Sequence, residues 1–159
     1  PSAVRCWQNA PAGRARMGSE RLFADTNLFL RYLTNDVPEQ AEAFERLLHA
    51  AGQGKYILVT NPMVLAEIAW TLESHYHLSP SETQARVLAI LNTPGIEVAE
   101  GDLVLQAVLW HVEKNVDFID AYNAGWMLAQ GLTTACTFDR RHFARFEGIQ
   151  LHTPGIDPL

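Results

Sequence analysis

Four acids stand where a chain of this pattern would place chemistry. Asp25 ends the short apolar run of FADTNLFLRYL, residues 23–33; Asp117 and Asp120 open NVDFIDAYNAGW; and Asp139 comes just after the apolar run of LTTACTF. In open parallel sheets, functional groups gather at the carboxyl ends of strands, where the chain turns into the next helix. Asp25 and Asp139 both hold that position, so they are expected to be neighbours in space although distant in sequence. Carboxylates gathered in this way repel one another and raise one another's pKa unless a cation neutralises them. All-oxygen ligands select hard ions such as Mg²⁺ or Mn²⁺, the usual apparatus of reactions at phosphate. There the metal stabilises charge on the transferring oxygens and lowers the pKa of a bound water. Each acid also has a plainer use. An Asp at a helix start satisfies free backbone N–H groups and complements the macrodipole, worth roughly 1 kcal/mol. Asp117 and Asp120 have the three-residue spacing of a capping box, although Asp is a poorer partner than Glu at the third position. On spacing alone, cap and ligand both stay open for every one of these acids.

The elements that must position them alternate along the chain. RLFA reads as a short strand, and TNLFLRYLT as a helix with Thr26 or Asn27 available as its cap. Pro38 suits the first position of a helix PEQAEAFERLLHAAGQG that ends in Gly52 and Gly54. KYILVT is a second strand. PMVLAEIAWTLESHYH and SPSETQARVLAILNTPG are helices, the latter with a Ser cap and a Pro-Gly stop, and GIEVA is a strand. GDLVLQAVLWHVEKN and DFIDAYNAGWMLAQG are further helices, the second ending at a capping Gly131. LTTACTF, DRRHFARF and GIQLHT complete the series as strand, short helix and strand. Strands separated by helices need crossover connections, hence a mostly parallel sheet with helices on both faces: an α/β sandwich.

Composition bounds the rest. At 159 residues and 48% hydrophobic, the chain is long enough for one sizeable core and short for two. No apolar stretch approaches the ~20 residues of a membrane span, and the N-terminus lacks the apolar centre of a secretory signal. A soluble protein of the cytoplasm, without a membrane partner, is expected. Cys6 and Cys136 lie far apart and outside metal-ligand spacing, against a disulfide framework or a zinc site. The net charge of −6 argues against broad adhesion to nucleic acid, which needs a surplus of Lys and Arg. The densest basic cluster is Arg140, Arg141 and Arg145, which suits either a solvated helix face or a nucleic-acid contact. Residues 1–18 lack the periodicity of the remaining chain and are read as a non-native or disordered N-terminal extension, with Met17 as a natural start.

Taken in order, FADTNLFLRYL, the Glu of MVLAEIAW, DFIDA and TFDRRHF resemble the motifs of PIN-domain ribonucleases, and the short single-domain form resembles the VapC toxins of toxin–antitoxin pairs. The resemblance runs from about Arg21 to the C-terminus, within a domain placed at residues 19–159. It implies a PIN-like three-layer sandwich, a central mostly parallel sheet of about five strands flanked by helices. It also implies a Mg²⁺- or Mn²⁺-dependent endoribonuclease. Its acidic, metal-binding set falls on Asp25, Glu67, Asp120 and Asp139, with Asp117 beside the site and Asn27 and Thr137 orienting the carboxylates. Glu67 enters through the resemblance alone: by helical projection Leu65, Ile68, Ala69 and Leu72 form the apolar stripe and Glu67 lies off it. Arg140, Arg141 and Arg31 are then the candidates to hold RNA phosphates. A cognate antitoxin protein is the expected partner, with a homodimer common in such proteins.

Other features read as structural. His75 and His77 suit a loop or helix end, and His111, His142 and His152 are scattered. Trp70, Trp110 and Trp126 lie on helices among aliphatic residues, where core packing is the default and a partner groove the alternative. A haloacid-dehalogenase-like phosphatase needs a second Asp two residues after the first; Asn27 holds that place, which argues against it. A binding module with the acids as caps, or an RNA-processing nuclease without an antitoxin, are the remaining alternatives.

Overall fold

The structure is a computed structural model and describes residues 19–156; the proposed extension at residues 1–18 and Cys6 lie outside them. Five strands and seven helices run in the order β1 (Glu20–Phe23), α1 (Thr26–Thr34), α2 (Pro38–Gly52), β2 (Tyr56–Thr60), α3 (Pro62–Ser74), α4 (Pro80–Leu91), β3 (Ile96–Val98), α5 (Gly101–Glu113), α6 (Phe118–Ala129), β4 (Thr134–Cys136), α7 (Arg140–Phe143) and β5 (Gln150–His152). All pairings are parallel, as crossover helices require. The five strands form two ladders instead of one continuous sheet: β1, β2 and β3 in that order, and β4 with β5. Phe23 stands opposite Val59 and Thr60 opposite Val98, so the carboxyl ends of the first ladder share one rim.

Local chemistry sets the helix ends. Ser79 and Glu82 form a complete capping box at α4. Asn61 caps α3 by accepting from the Val64 N–H at 3.1 Å, with Pro62 behind it. The end of α6 is a Schellman turn: Gly131, at φ +72°, donates to Leu128 O at 3.1 Å and Leu132 to Met127 O at 2.8 Å. Gly95, at φ +87°, lies so close to Ala51 that a Cβ would fall 2.5 Å from its carbonyl carbon, so only glycine lets β3 begin beside the end of α2.

The core is built mainly from helix residues, aliphatic with a few phenylalanines, gathered around Leu58 of β2. Leu65, Ile68, Ala69 and Leu72 of α3, the expected stripe, are at most 1% exposed. They join Val104, Ala107 and Val108 of α5 and Ala121 and Ala124 of α6 in one cluster with Leu58. Two of the three tryptophans read as core, Trp70 and Trp126, depart from core packing, whereas Trp110 packs against the core. Trp70 is 67% exposed and Trp126 42%, because each projects from the face opposite the buried stripe of its own helix. Trp110 is half-buried, packed on Phe146 at 5.2 Å between ring centres with the Lys114 ammonium 5.8 Å over its ring. Among the described residues no helix is long and apolar enough to cross a membrane.

Candidate functional site

Where β1 ends, Ala24 still donates its N–H to Val59 O at 2.8 Å. Asp25 then turns the chain into α1 with extended backbone, φ −84° and ψ 162°. Asp25 itself is therefore the N-cap residue, in place of Thr26 or Asn27, yet its carboxylate makes no cap hydrogen bond. Asn27 Nδ2 donates to Asp25 Oδ2 at 3.3 Å. Thr26 is only 3% exposed and turns its hydroxyl to α3, donating to Glu67 Oε2 at 2.5 Å. Glu67, otherwise on the exposed side of α3, is thereby held beside the Asp25 turn by the residue next to Asp25.

A second group forms where α5 gives way to α6. Asn115 enters the left-handed region at φ 51°, and Arg145 donates to Lys114 O at 2.9 Å and also to Asn115 O, which holds the turn from outside. Asp117 is the N-cap of α6 without a cap hydrogen bond, and Asp120 sits one turn in. The capping box that their spacing allows is not formed. Asp120 Oδ2 instead meets His142 Nδ1 at 2.6 Å, and Asp117 Oδ2 lies 3.5 Å from the same nitrogen. Asp120 and His142 are 25% and 17% exposed and Asp117 75%, so the group opens to solvent on one side.

Asp139 is used differently. Its Oδ1 accepts from the Arg141 N–H at 2.9 Å, a true cap of the four-residue α7. Thr137 supports that turn: its Oγ1 accepts from the Asp139 N–H at 3.0 Å. Among the described residues, Asp117, Asp120 and His142 alone bring one ligand atom each within 4.8 Å of one another; Asp25, Glu67 and Asp139 stand outside this close group. The helix α3, which carries Glu67, packs against both α1 and α6. Ala66 and Trp70, on either side of Glu67 in sequence, line a cleft of about 300 Å³ with Glu73, Asp117, Ile119 and Asp120.

Of the arginines, Arg31 is bound to Asp36, which also accepts from Tyr76 Oη at 2.9 Å. Burial pushes the Asp36 carboxyl up, but the hydrogen bonds of Tyr76, Thr34 and Arg31 outweigh it and hold the carboxyl below its ordinary value. Arg140 donates to Thr153 Oγ1 at 2.9 Å. Arg145 is committed to the α5–α6 turn. The side chain of Arg141 is exposed beside Asp139.

His142 is the residue that spacing missed. It lies 22 positions from Asp120, and its one sequence signal is its place three residues past the strand-end Asp139 in DRRHF, which the reading as a scattered histidine passed over. The donor set of Asp117, Asp120 and His142, two carboxylates and one imidazole facing each other with a solvent opening, fits a divalent cation. Residues 22–149 match the family described as PIN domain. No curated protein matches the chain.

Proposed function

The chain belongs to the PIN-domain family, whose fold is of nuclease type, and on that premise we propose that it is a metal-dependent ribonuclease hydrolysing RNA phosphodiester bonds. The observation that carries this reading is the state of the acids at the helix starts. Asp25 and Asp117 occupy cap positions without spending their carboxylates on caps, and Asp117, Asp120 and His142 gather within 4.8 Å. A divalent cation, Mg²⁺ or Mn²⁺, when bound, supplies charge for the transferring phosphoryl oxygens and acidifies a water. Asp117 and Asp120 would hold it, with Asp25, Glu67 and Asp139 as the further acids of the family pattern. Thr26 fixes Glu67, Asn27 orients Asp25 and Thr137 orients the Asp139 turn. A carboxylate of the set that is not engaged with the cation takes the proton of the attacking water. Arg141 and Arg140, beside Asp139, hold the phosphates of the strand; Arg31, tied to Asp36, contributes less.

Purified protein is expected to cleave RNA with Mg²⁺ or Mn²⁺, to stop on addition of EDTA, and to lose activity in Asp25→Asn. Cleavage retained in Asp25→Asn removes that acid from the mechanism. Absence of cleavage by the unaltered protein with either ion leaves a binding module. The narrower role is the toxin of a toxin–antitoxin pair in the cytoplasm. Met63, Trp70 and Ile119, exposed at 78%, 67% and 51% near the acids, provide apolar area for an antitoxin. Growth arrest on expression, relieved by Asp25→Asn, supports the toxin; expression without arrest favours an RNA-processing nuclease.

A further inference from the structure

We propose that His142 is a nitrogen ligand of the cation at Asp117 and Asp120, and that it makes the site select a transition-series divalent ion over Mg²⁺. This rests on the reading of the site as a metal-dependent nuclease centre and adds the identity of the metal.

The way the ring is held comes first. His142 lies on α7, whose start is capped by Asp139 and whose next residue, Phe143, packs on Phe146 at 6.2 Å between ring centres. Phe146 is 3% exposed and rests in turn on Trp110. The imidazole is thus carried by a short helix anchored in the core, and it presents Nδ1 to both carboxylates, at 2.6 Å from Asp120 and 3.5 Å from Asp117. Ligands about 2.1 Å from one ion lie up to about 4.2 Å apart. Three donor atoms within 4.8 Å therefore close on a single cation with small side-chain rotations.

The tautomer allows it. Without a cation, Nδ1–H donates to Asp120. Nε2 has no hydrogen-bond partner among the described residues, so a proton moved to Nε2 displaces nothing there; the one bond given up, Nδ1–H to Asp120, is replaced by shared ligation of the cation, toward which the Nδ1 lone pair then turns. An imidazole nitrogen adds affinity for transition-series ions in the Irving–Williams order and little for Mg²⁺, which keeps oxygen ligands and its waters. An all-carboxylate centre would lack that bias.

The test is Mn²⁺ binding to the full chain, measured by calorimetry and by pulsed electron paramagnetic resonance, with Mg²⁺ as competitor. The expected result is Mn²⁺ bound in preference to Mg²⁺, with nitrogen coupling of a directly bound imidazole in the spectrum. In His142→Asn that coupling disappears and Mn²⁺ affinity falls roughly tenfold or more while Mg²⁺ affinity stays within about twofold. Mn²⁺ bound without nitrogen coupling in the unaltered protein overturns the inference and leaves the nuclease reading standing. So does an equal loss of both ions in His142→Asn, which would make the ring only a positioning residue for Asp120. Binding of neither ion sinks the metal-dependent reading itself. The spectrum of the unaltered protein decides the matter even if the variant misfolds.

Discussion

Two histidines in this protein meet a carboxylate at almost the same distance, and they do different work. His111 Nε2 lies 2.5 Å from Glu73 Oε1, and His142 Nδ1 lies 2.6 Å from Asp120 Oδ2. The second nitrogen separates them. At His111 it meets the Val116 carbonyl at 2.6 Å, and the side chain is 5% exposed. A carbonyl only accepts, so Nδ1–H is spent on it and Nε2 is spent on Glu73. The ring ties α5, α3 and the entry to α6 together and offers nothing to a ligand. His142 faces two carboxylates with one nitrogen, keeps the other unbonded among the described residues, and opens to solvent beside Asp117. The contrast teaches that a histidine–acid pair becomes a brace or a site according to how many of its valences the fold has already used.

The comparison can be broken most forcefully at the brace. His111→Ala strands the Glu73 carboxylate and the Val116 carbonyl, and is expected to cost about 3 kcal/mol of stability; a urea unfolding curve checks it, and a loss under about 1 kcal/mol would make the buried ring idle. Asp120→Asn should do the reverse. RNA cleavage falls roughly 10²-fold, whereas unfolding free energy moves by less than about 1 kcal/mol. If stability falls as far as activity, the His142 group is a second brace. A smaller effect sharpens the point about used valences. Thr83 is 0% exposed and its hydroxyl has no partner among the described residues, so Thr83→Val is expected to stabilise by up to about 1 kcal/mol, read as a raised melting temperature. The smallest concerns an acid bonded only locally. The Ser79 hydroxyl and then the Ser79 N–H hold Glu82 below its ordinary value of 4.5. That contribution is present above pH 4.5 and is lost as pH falls through the lowered folded value. Glu82→Gln should therefore flatten the acid limb of a stability-against-pH curve, and an unchanged limb would show the box to be without energetic effect.

Much of the fold was legible because its signals are local. The α2 start at Pro38, the Ser79 cap and the Gly131 stop each depend on one or two residues and a backbone preference, and all three are present in the fold. The division of the strands into two ladders was not legible. Pairing is decided between segments far apart, and β3, β4 and β5 are three residues each, too short to carry a register signal. Trp70 and Trp126 were misread for a related reason. Aliphatic neighbours in sequence do not say which face of a helix is buried, and on α3 the stripe of Leu65, Ile68, Ala69 and Leu72 leaves Trp70 in solvent together with Met63 and Glu67.

The acids divide along the same line. Residue types and order alone determined that this chain carries Asp25, Asp117, Asp120 and Asp139 at the turns and helix starts of an α/β fold, because strand ends and helix starts are written in local pattern; Glu67, inside α3, was reached only through the family resemblance. Whether each carboxylate caps its own helix or faces another group was decided only by tertiary structure. Asp139 bonds the N–H two residues on, while Asp120 takes a histidine brought from 22 residues away. A cap needs only neighbours in the chain. A ligand group needs the packing of α6 against α7, and that packing is settled by the whole core.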